Sequence, residues 1–238
     1  MKNEEFATAR HFFAFLSHFI ARLSQNYAEY PRFLAVSATI RTFVTSKEKM
    51  KMETERILLR PWLDSDAETL YKYASDPDVG PRAGWPPHKS VEESQEIIRT
   101  VFNAEGMWAV IWKESGEAIG CVGYLPASAS NLKIAEDHAE VGYWIARPYW
   151  GKGICTEALQ MVIDYCFKEK EFTTLWGDYF PSNPASGRVM EKCGFVDTGE
   201  ETLCSNLEVG SDCPVRVMKL ESSEYRAMCT SALSSRDL

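Results

Sequence analysis

Apolar and polar positions alternate with two different periods along this chain, and the switches between them mark its elements. Arg56–Arg60 reads as a short apolar strand closed by Pro61. Ser65-Asp66-Ala67-Glu68 has the form of a capping box, and Ala67, Leu70, Tyr71 and Ala74 give a helical face ending before Asp76-Pro77. Gly80–Pro87 holds three prolines and two glycines and reads as a loop. Ser90-Val91-Glu92-Glu93 opens a second helix, with Ile97, Ile98, Val101 and Phe102 inward. Met107–Lys113 and Ala118–Leu125 form a hairpin around Ser115-Gly116.

The second half continues with a strand at 139–145, a helix at 154–169, a strand at 173–179 and a helix at 184–193. Strands at 195–203 and 215–220 follow, and the Ser-rich tail after Glu221 is expected to fray. The order fits one α+β domain in three α/β/α layers.

The richest stretch is the junction of strand 139–145 with helix 154–169. Cys155, Leu159, Val162, Ile163 and Cys166 share one helical face. Between strand and helix lie Trp150, Gly151, Lys152, Gly153, Ile154, Cys155 and Thr156. A strand passing through glycines into a helix start aims free N–H groups and the positive dipole end at one point, which suits a phosphate or diphosphate. The Thr156 hydroxyl and the Lys152 charge are candidate additions to that cradle.

Asn183-Pro184-Ala185-Ser186 opens the next helix with an expected Asn N-cap and Pro at the first turn. That helix ends at Cys193-Gly194-Phe195. By strand alternation Glu140, Gly142 and Trp144 share one face, and Val141, Tyr143 and Ile145 the other.

The ordered set Glu140-Val141-Gly142-Tyr143-Trp144, Tyr149-Trp150-Gly151-Lys152-Gly153, Thr156-Glu157-Ala158, Asn183-Pro184-Ala185-Ser186 and Cys193-Gly194-Phe195 resembles the GNAT superfamily of N-acetyltransferases. The likeness is to its RimJ/RimL-type, ribosomal-protein-acetyltransferase-like branch. It runs from Glu55 to about Leu220; Cys155 stands where Gly or Ala is usual.

The resemblance implies a mixed, centrally splayed sheet flanked by helices, acetyl-CoA as co-substrate, and direct transfer to a primary amine in a ternary complex. The amine would belong to a protein N-terminus or a small molecule. It implies that residues 150–156 bind the diphosphate and that Trp144 and Ile145 line the pantetheine arm, with a backbone N–H facing the thioester oxygen. Asn183 and Ser186 would lie near pantetheine and sulfur. Glu140 would act as base, usually through water, with Asp178 as its competitor, and Ser186, or water in its place, would hydrogen-bond the departing thiolate.

The helix tyrosine that many relatives use as acid falls on Met190, which cannot donate a proton. A covalent route would need an activated cysteine, and Cys155 is the candidate by its place at a helix start. Arg188 and Lys192, one turn apart, are candidates to meet the nucleotide phosphate. Gly187 is a candidate for close approach of the pantetheine arm. The rival reading is a non-catalytic acyl-CoA-binding or sensor module on the same fold.

Charge changes the picture in one respect. Net charge is −8, with +4 on residues 1–51 and −12 on the remainder. An acidic body disfavours nucleic-acid binding and favours a cationic acceptor. Seven scattered cysteines without C-x-x-C, and four histidines without ligand spacing, point to reduced thiols, a cytoplasmic setting and no metal. The turn lacks G-x-G-x-x-G, which excludes a Rossmann dinucleotide site. No apolar run is long enough to span a bilayer. The state expected is monomer or homodimer.

Residues 1–51 read as a helical or disordered extension, and Met52 is a candidate natural start. Residues 52–221 read as the acetyltransferase domain and 222–238 as a flexible tail.

Overall fold

Strand pairing decides where this molecule opens. The computed structural model describes residues 52–234, and the reading made for 1–51 lies outside them. Its eight strands are β1 (Met52–Glu53), β2 (Ile57–Arg60), β3 (Met107–Trp112), β4 (Ala118–Pro126), β5 (His138–Ile145), β6 (Thr174–Tyr179), β7 (Val196–Asn206) and β8 (Ser211–Glu221). They form one mixed sheet in the order β1-β2-β3-β4-β5-β6-β8-β7. All neighbours are antiparallel except β5 and β6.

That parallel pair holds together only over His138↔Thr174, Ala139↔Leu175 and Glu140↔Trp176. Beyond Glu140 the two strands part, although β5 runs on to Ile145 and β6 to Tyr179. The result is the mixed, centrally splayed sheet that the resemblance implies.

Five helices flank it: α1 (Ala67–Ala74), α2 (Val91–Ile97), α3 (Ile154–Lys168), α4 (Pro184–Lys192) and α5 (Ser222–Ser234). Helix α3 crosses β2, β4 and β5, α4 lies on β6 and α3, and α1 pairs with α2 and packs on β4. In α3 the spacing of Ala158, Leu159, Val162, Ile163 and Cys166 buries one stripe against the sheet. These side chains join Leu59, Val110, Val122 and Leu175 in a continuous core.

Several elements depart from the sequence reading. The expected capping box at Ser65–Glu68 does not form. Asp66 instead accepts from the Leu63 N–H at 2.9 Å and takes a bidentate ion pair from Arg60 at 2.6 and 2.8 Å, so a 3-10 turn, Asp64–Asp66, precedes α1. A bidentate guanidinium is a stronger partner for a carboxylate than a neutral amide. The box at Ser90 is half-formed: Ser90 Oγ accepts from Glu93 N–H at 3.1 Å, while the Glu93 carboxylate turns back to Lys89 N–H. Ile98–Phe102 continues α2 as a π-helical turn.

Strands β7 and β8 run longer than expected and form a hairpin from Val196 to Glu221. Residues 222–234, read as tail, form helix α5. Tyr225 is buried against Phe167 (ring centroids 5.4 Å apart), and its hydroxyl oxygen accepts from Gln160 Nε2 at 2.5 Å. One aromatic anchor outweighs the Ser-rich composition around it. No helix among the described residues is long and apolar enough to cross a membrane.

Candidate functional site

The splay gives β5 a free edge, and the pleat decides which groups it presents. Ala146 donates its N–H to Ile119 C=O at 2.8 Å. By two-residue alternation the Trp144 N–H also faces β4, leaving the Tyr143 and Ile145 N–H groups toward the gap. Of the two residues expected at the thioester, Ile145 therefore presents its amide there. The Ile145 carbonyl, on the same side, accepts from Trp150 Nε1 at 2.6 Å, which fixes the loop that follows.

Two cavities flank this gap, of about 250 and 320 Å³. Both are lined by Tyr143, Trp144, Asn183 and Ser186, so they meet there.

The larger cavity runs along the start of α3. Gly151 and Gly153 have φ of +73° and +75°, the left-handed region that an L side chain resists. No atom lies within 4 Å of a Cβ built on Gly151, and only the Arg56 Nη2 reaches 4.0 Å at Gly153. The amides of residues 151–156 donate to no acceptor within the described residues, whereas Glu157 N–H reaches Gly153 C=O at 3.0 Å. Free donors therefore cluster at the positive end of a 15-residue helix.

Gly151, Gly153, Ile154, Cys155 and Thr156 line the cavity, with Trp150 at its edge. Arg188 and Lys192 line it from α4. Lys152 stands apart: its ammonium lies 5.3 Å from the Tyr149 ring centre, and its carbonyl accepts from Arg56 Nη1 at 3.1 Å. Arg56 Nε also donates to Glu157 at 2.9 Å, tying the β1–β2 connection to the loop.

The Cys155 thiol lies in this wall, and burial pushes its pKa upward. A thiol so held stays protonated, which removes the basis for a covalent route through it.

On the other side, the smaller cavity holds two carboxylates. Glu140 is buried; its Oε2 accepts from Ser130 Oγ at 2.5 Å and from Asn131 N–H at 3.1 Å. Burial first, then the charge of Asp178, raises its pKa to about 7. Asp178 is raised as well, by burial, and Cys204 Sγ–H donates to it at 3.1 Å. The two acids titrate as a pair.

At the junction, Ser186 Oγ–H donates to Tyr143 Oη at 3.1 Å, and the Tyr143 hydroxyl donates to Ser186 C=O at 2.8 Å. Burial raises the Tyr143 pKa strongly, so this phenol keeps its proton. Met190 is buried beneath Gly177, where a Cβ would come within 2.6 Å of its sulfur. No hydroxyl comes from that helix position; Tyr143 brings one from the strand instead. Sequence reading overlooked it, although its place on the Val141–Ile145 face, under α4, was a usable signal.

Two expectations for α4 are corrected. The Asn183 side chain makes no cap; its Nδ2 donates to Arg82 C=O at 3.0 Å and fastens the 80–88 loop across the cleft. Gly187 faces Tyr179, whose ring a Cβ would approach within 2.8 Å, so its missing side chain serves helix-to-strand packing.

Comparisons agree with this architecture. Residues 56–196 match the family model described as the acetyltransferase (GNAT) domain. An uncharacterized N-acetyltransferase, p20, of Bacillus licheniformis is 31% identical over 151 residues, 61% of this chain and 82% of the relative. A putative ribosomal N-acetyltransferase, YdaF, of Bacillus subtilis (strain 168) is 38% identical over 73 residues, 31% of this chain and 40% of the relative. The crystal structure of a GNAT-family acetyltransferase from Bacillus anthracis superposes with a TM-score of 0.62 at 24% identity, covering 73% of this chain and 99% of that one, and so shares the fold. With more than half of its length matched by that family model, this chain belongs to the GNAT family of acetyltransferases.

Proposed function

We propose that this protein transfers the acetyl group of acetyl-CoA directly to a primary amine, both substrates being held at once. One observation carries the reading. An amide-lined cavity and an acid-bearing cavity meet at Tyr143, Trp144, Asn183 and Ser186. The residues present fit the co-substrate. Six unpaired amides, two left-handed glycines with open space where a Cβ would stand, and the nearby Arg188 and Lys192 suit a diphosphate and a nucleotide phosphate. Acetyl-CoA, when bound, supplies an acyl thioester that an uncharged amine attacks.

The chain's own residues then have four tasks. Residues 150–156 hold the diphosphate. The Tyr143 and Ile145 amides, facing the gap, are the donors for pantetheine and for the thioester oxygen, where negative charge develops. Glu140 takes the amine's proton. A free alkylamine has a pKa around 10, so an ordinary carboxylate is a poor base for it, and a carboxylate raised toward neutrality is a better one. Ser186 turns its hydroxyl proton from Tyr143 to the departing thiolate, and Tyr143, bonded to the Ser186 carbonyl, holds that residue in place.

The trial is calorimetric titration with acetyl-CoA, joined to thiol release in the presence of amines. Ser186→Ala should lower kcat by about 10- to 100-fold while leaving acetyl-CoA affinity within about twofold, because the lost bond forms as charge develops on sulfur. A flat thermogram would remove the reading; unchanged kcat would remove the serine's role.

A further inference from the structure

The acceptor cavity says more than that an amine binds. Its wall is apolar on three sides. Leu70 of α1 and Ile97 of α2 face it, with Val101 and Phe102 from the π turn and Met107 and Leu125 from the sheet. Trp85 closes a further side, edge-on to Trp144 at 5.9 Å between ring centres. His88, also in the wall, is neutral because burial lowers its pKa to about 4.

The carboxyl and guanidinium groups of the lining are those of Glu140, Asp178 and Arg82. The Arg82 guanidinium lies over the Trp150 ring at 5.3 Å and 3.9 Å from Asp78, on the side of the other cavity. The acid pair therefore supplies the carboxylates that would meet a cation in this wall, among the described residues.

The roof is held in place. The 80–88 loop is tied to two other elements: Arg82 C=O accepts from Asn183 Nδ2 at 3.0 Å, and Gly84 C=O accepts from Leu207 N–H at 2.7 Å. The Phe180 ring packs under Gly84, where a Cβ would come within 3.0 Å of it. A polypeptide acceptor would bring its first backbone N–H and C=O groups against this apolar wall, where unpaired polar groups are costly. A volume of about 250 Å³ has room for a small molecule.

Resting on the acetyl-transfer reading above, we propose that the acceptor is a small monocationic primary amine with a compact apolar body, arylalkyl or branched alkyl, and not a polyamine or a polypeptide N-terminus. Its single ammonium meets Glu140 and Asp178, and its carbon skeleton lies against Ile97, Val101 and Phe102. A second ammonium would be buried there without a carboxylate, which is strongly unfavourable.

The test is steady-state thiol release at saturating acetyl-CoA with 2-phenylethylamine, 3-methylbutylamine, spermidine and short peptides beginning with Ala or Ser. The apolar amines should show kcat/KM at least tenfold above the others. Equal or better use of spermidine or of a peptide overturns the inference while leaving acetyl transfer standing. If acetyl-CoA binds but no amine in the panel is acetylated, the transfer reading falls and this inference with it. In a second arm, Ala104→Glu places a carboxylate on the apolar wall. It should lower kcat/KM for 2-phenylethylamine about tenfold and raise it for 1,5-diaminopentane, with acetyl-CoA affinity unchanged. Unaltered selectivity in a folded variant also overturns the proposal.

Discussion

Glu140 shows how far burial moves a single residue's chemistry. An exposed glutamate ionises well below neutrality. Here desolvation, then Asp178, raises it, and the bonds from Ser130 and Asn131 pull it back only in part. As the proposed base it must be ionised, so kcat/KM should rise with pH through a limb near neutrality that belongs to the pair. Asp178→Asn removes the repelling charge, leaves the burial, and should move that limb to lower pH; a pH–rate profile reads this directly. Stability follows the same sign. Because the folded carboxyl holds its proton to higher pH than the unfolded one, the folded state binds more protons between about pH 4.5 and 7, and this site's contribution falls as pH rises. Glu140→Gln should therefore gain melting temperature relative to the parent at pH 8 but not at pH 4, by scanning calorimetry. His88 acts in the opposite sense: its pKa, lowered to about 4, makes its contribution rise between about pH 4 and 6.5.

Among the elements, the turn into α3 carries the largest separable effect. Gly153 holds a left-handed φ of +75° with open space beyond its Cα. A side chain there costs about 1–2 kcal/mol of backbone strain and projects among the free amides. Gly153→Trp should fold, with a melting temperature lower by roughly 2–8 °C. Its acetyl-CoA affinity should fall at least about a hundredfold, equivalent to about 2.7 kcal/mol, in calorimetric titration. Retained affinity would contradict the diphosphate assignment. That strand–turn–helix was legible in sequence because it is local: glycines, an apolar strand and a 3.6-residue stripe lie within thirty positions. Helix α5 was not legible, since its stability comes from Tyr225 meeting Phe167 and Gln160 some sixty residues away.

At the scale of the whole molecule, the matched family region ends at residue 196, yet β8 and α5 continue the fold beyond it. Burying Tyr225 stabilises by roughly 1.5–3 kcal/mol on an area basis. A chain ending at residue 221 should therefore melt about 3–12 °C below the parent. A chain beginning at Met52 should keep the parent's kcat/KM, since the site is built from described residues beyond it; loss of activity would give residues 1–51 a role in the site.

By itself the sequence determined the order of strands and helices from β2 to β8, the amide cradle at 150–156 and the placing of Glu140 opposite Tyr143 on β5. Each depends on a repeat or a turn contained in a short window. Only the tertiary structure decided that β5 and β6 part after Glu140, that Asp178 sits close enough to lift it, that Tyr143 holds Ser186, and that Asn183 ties a roof instead of capping a helix. Those outcomes are set by contacts between residues some 35 to 100 positions apart, where geometry, and not local preference, selects the partner.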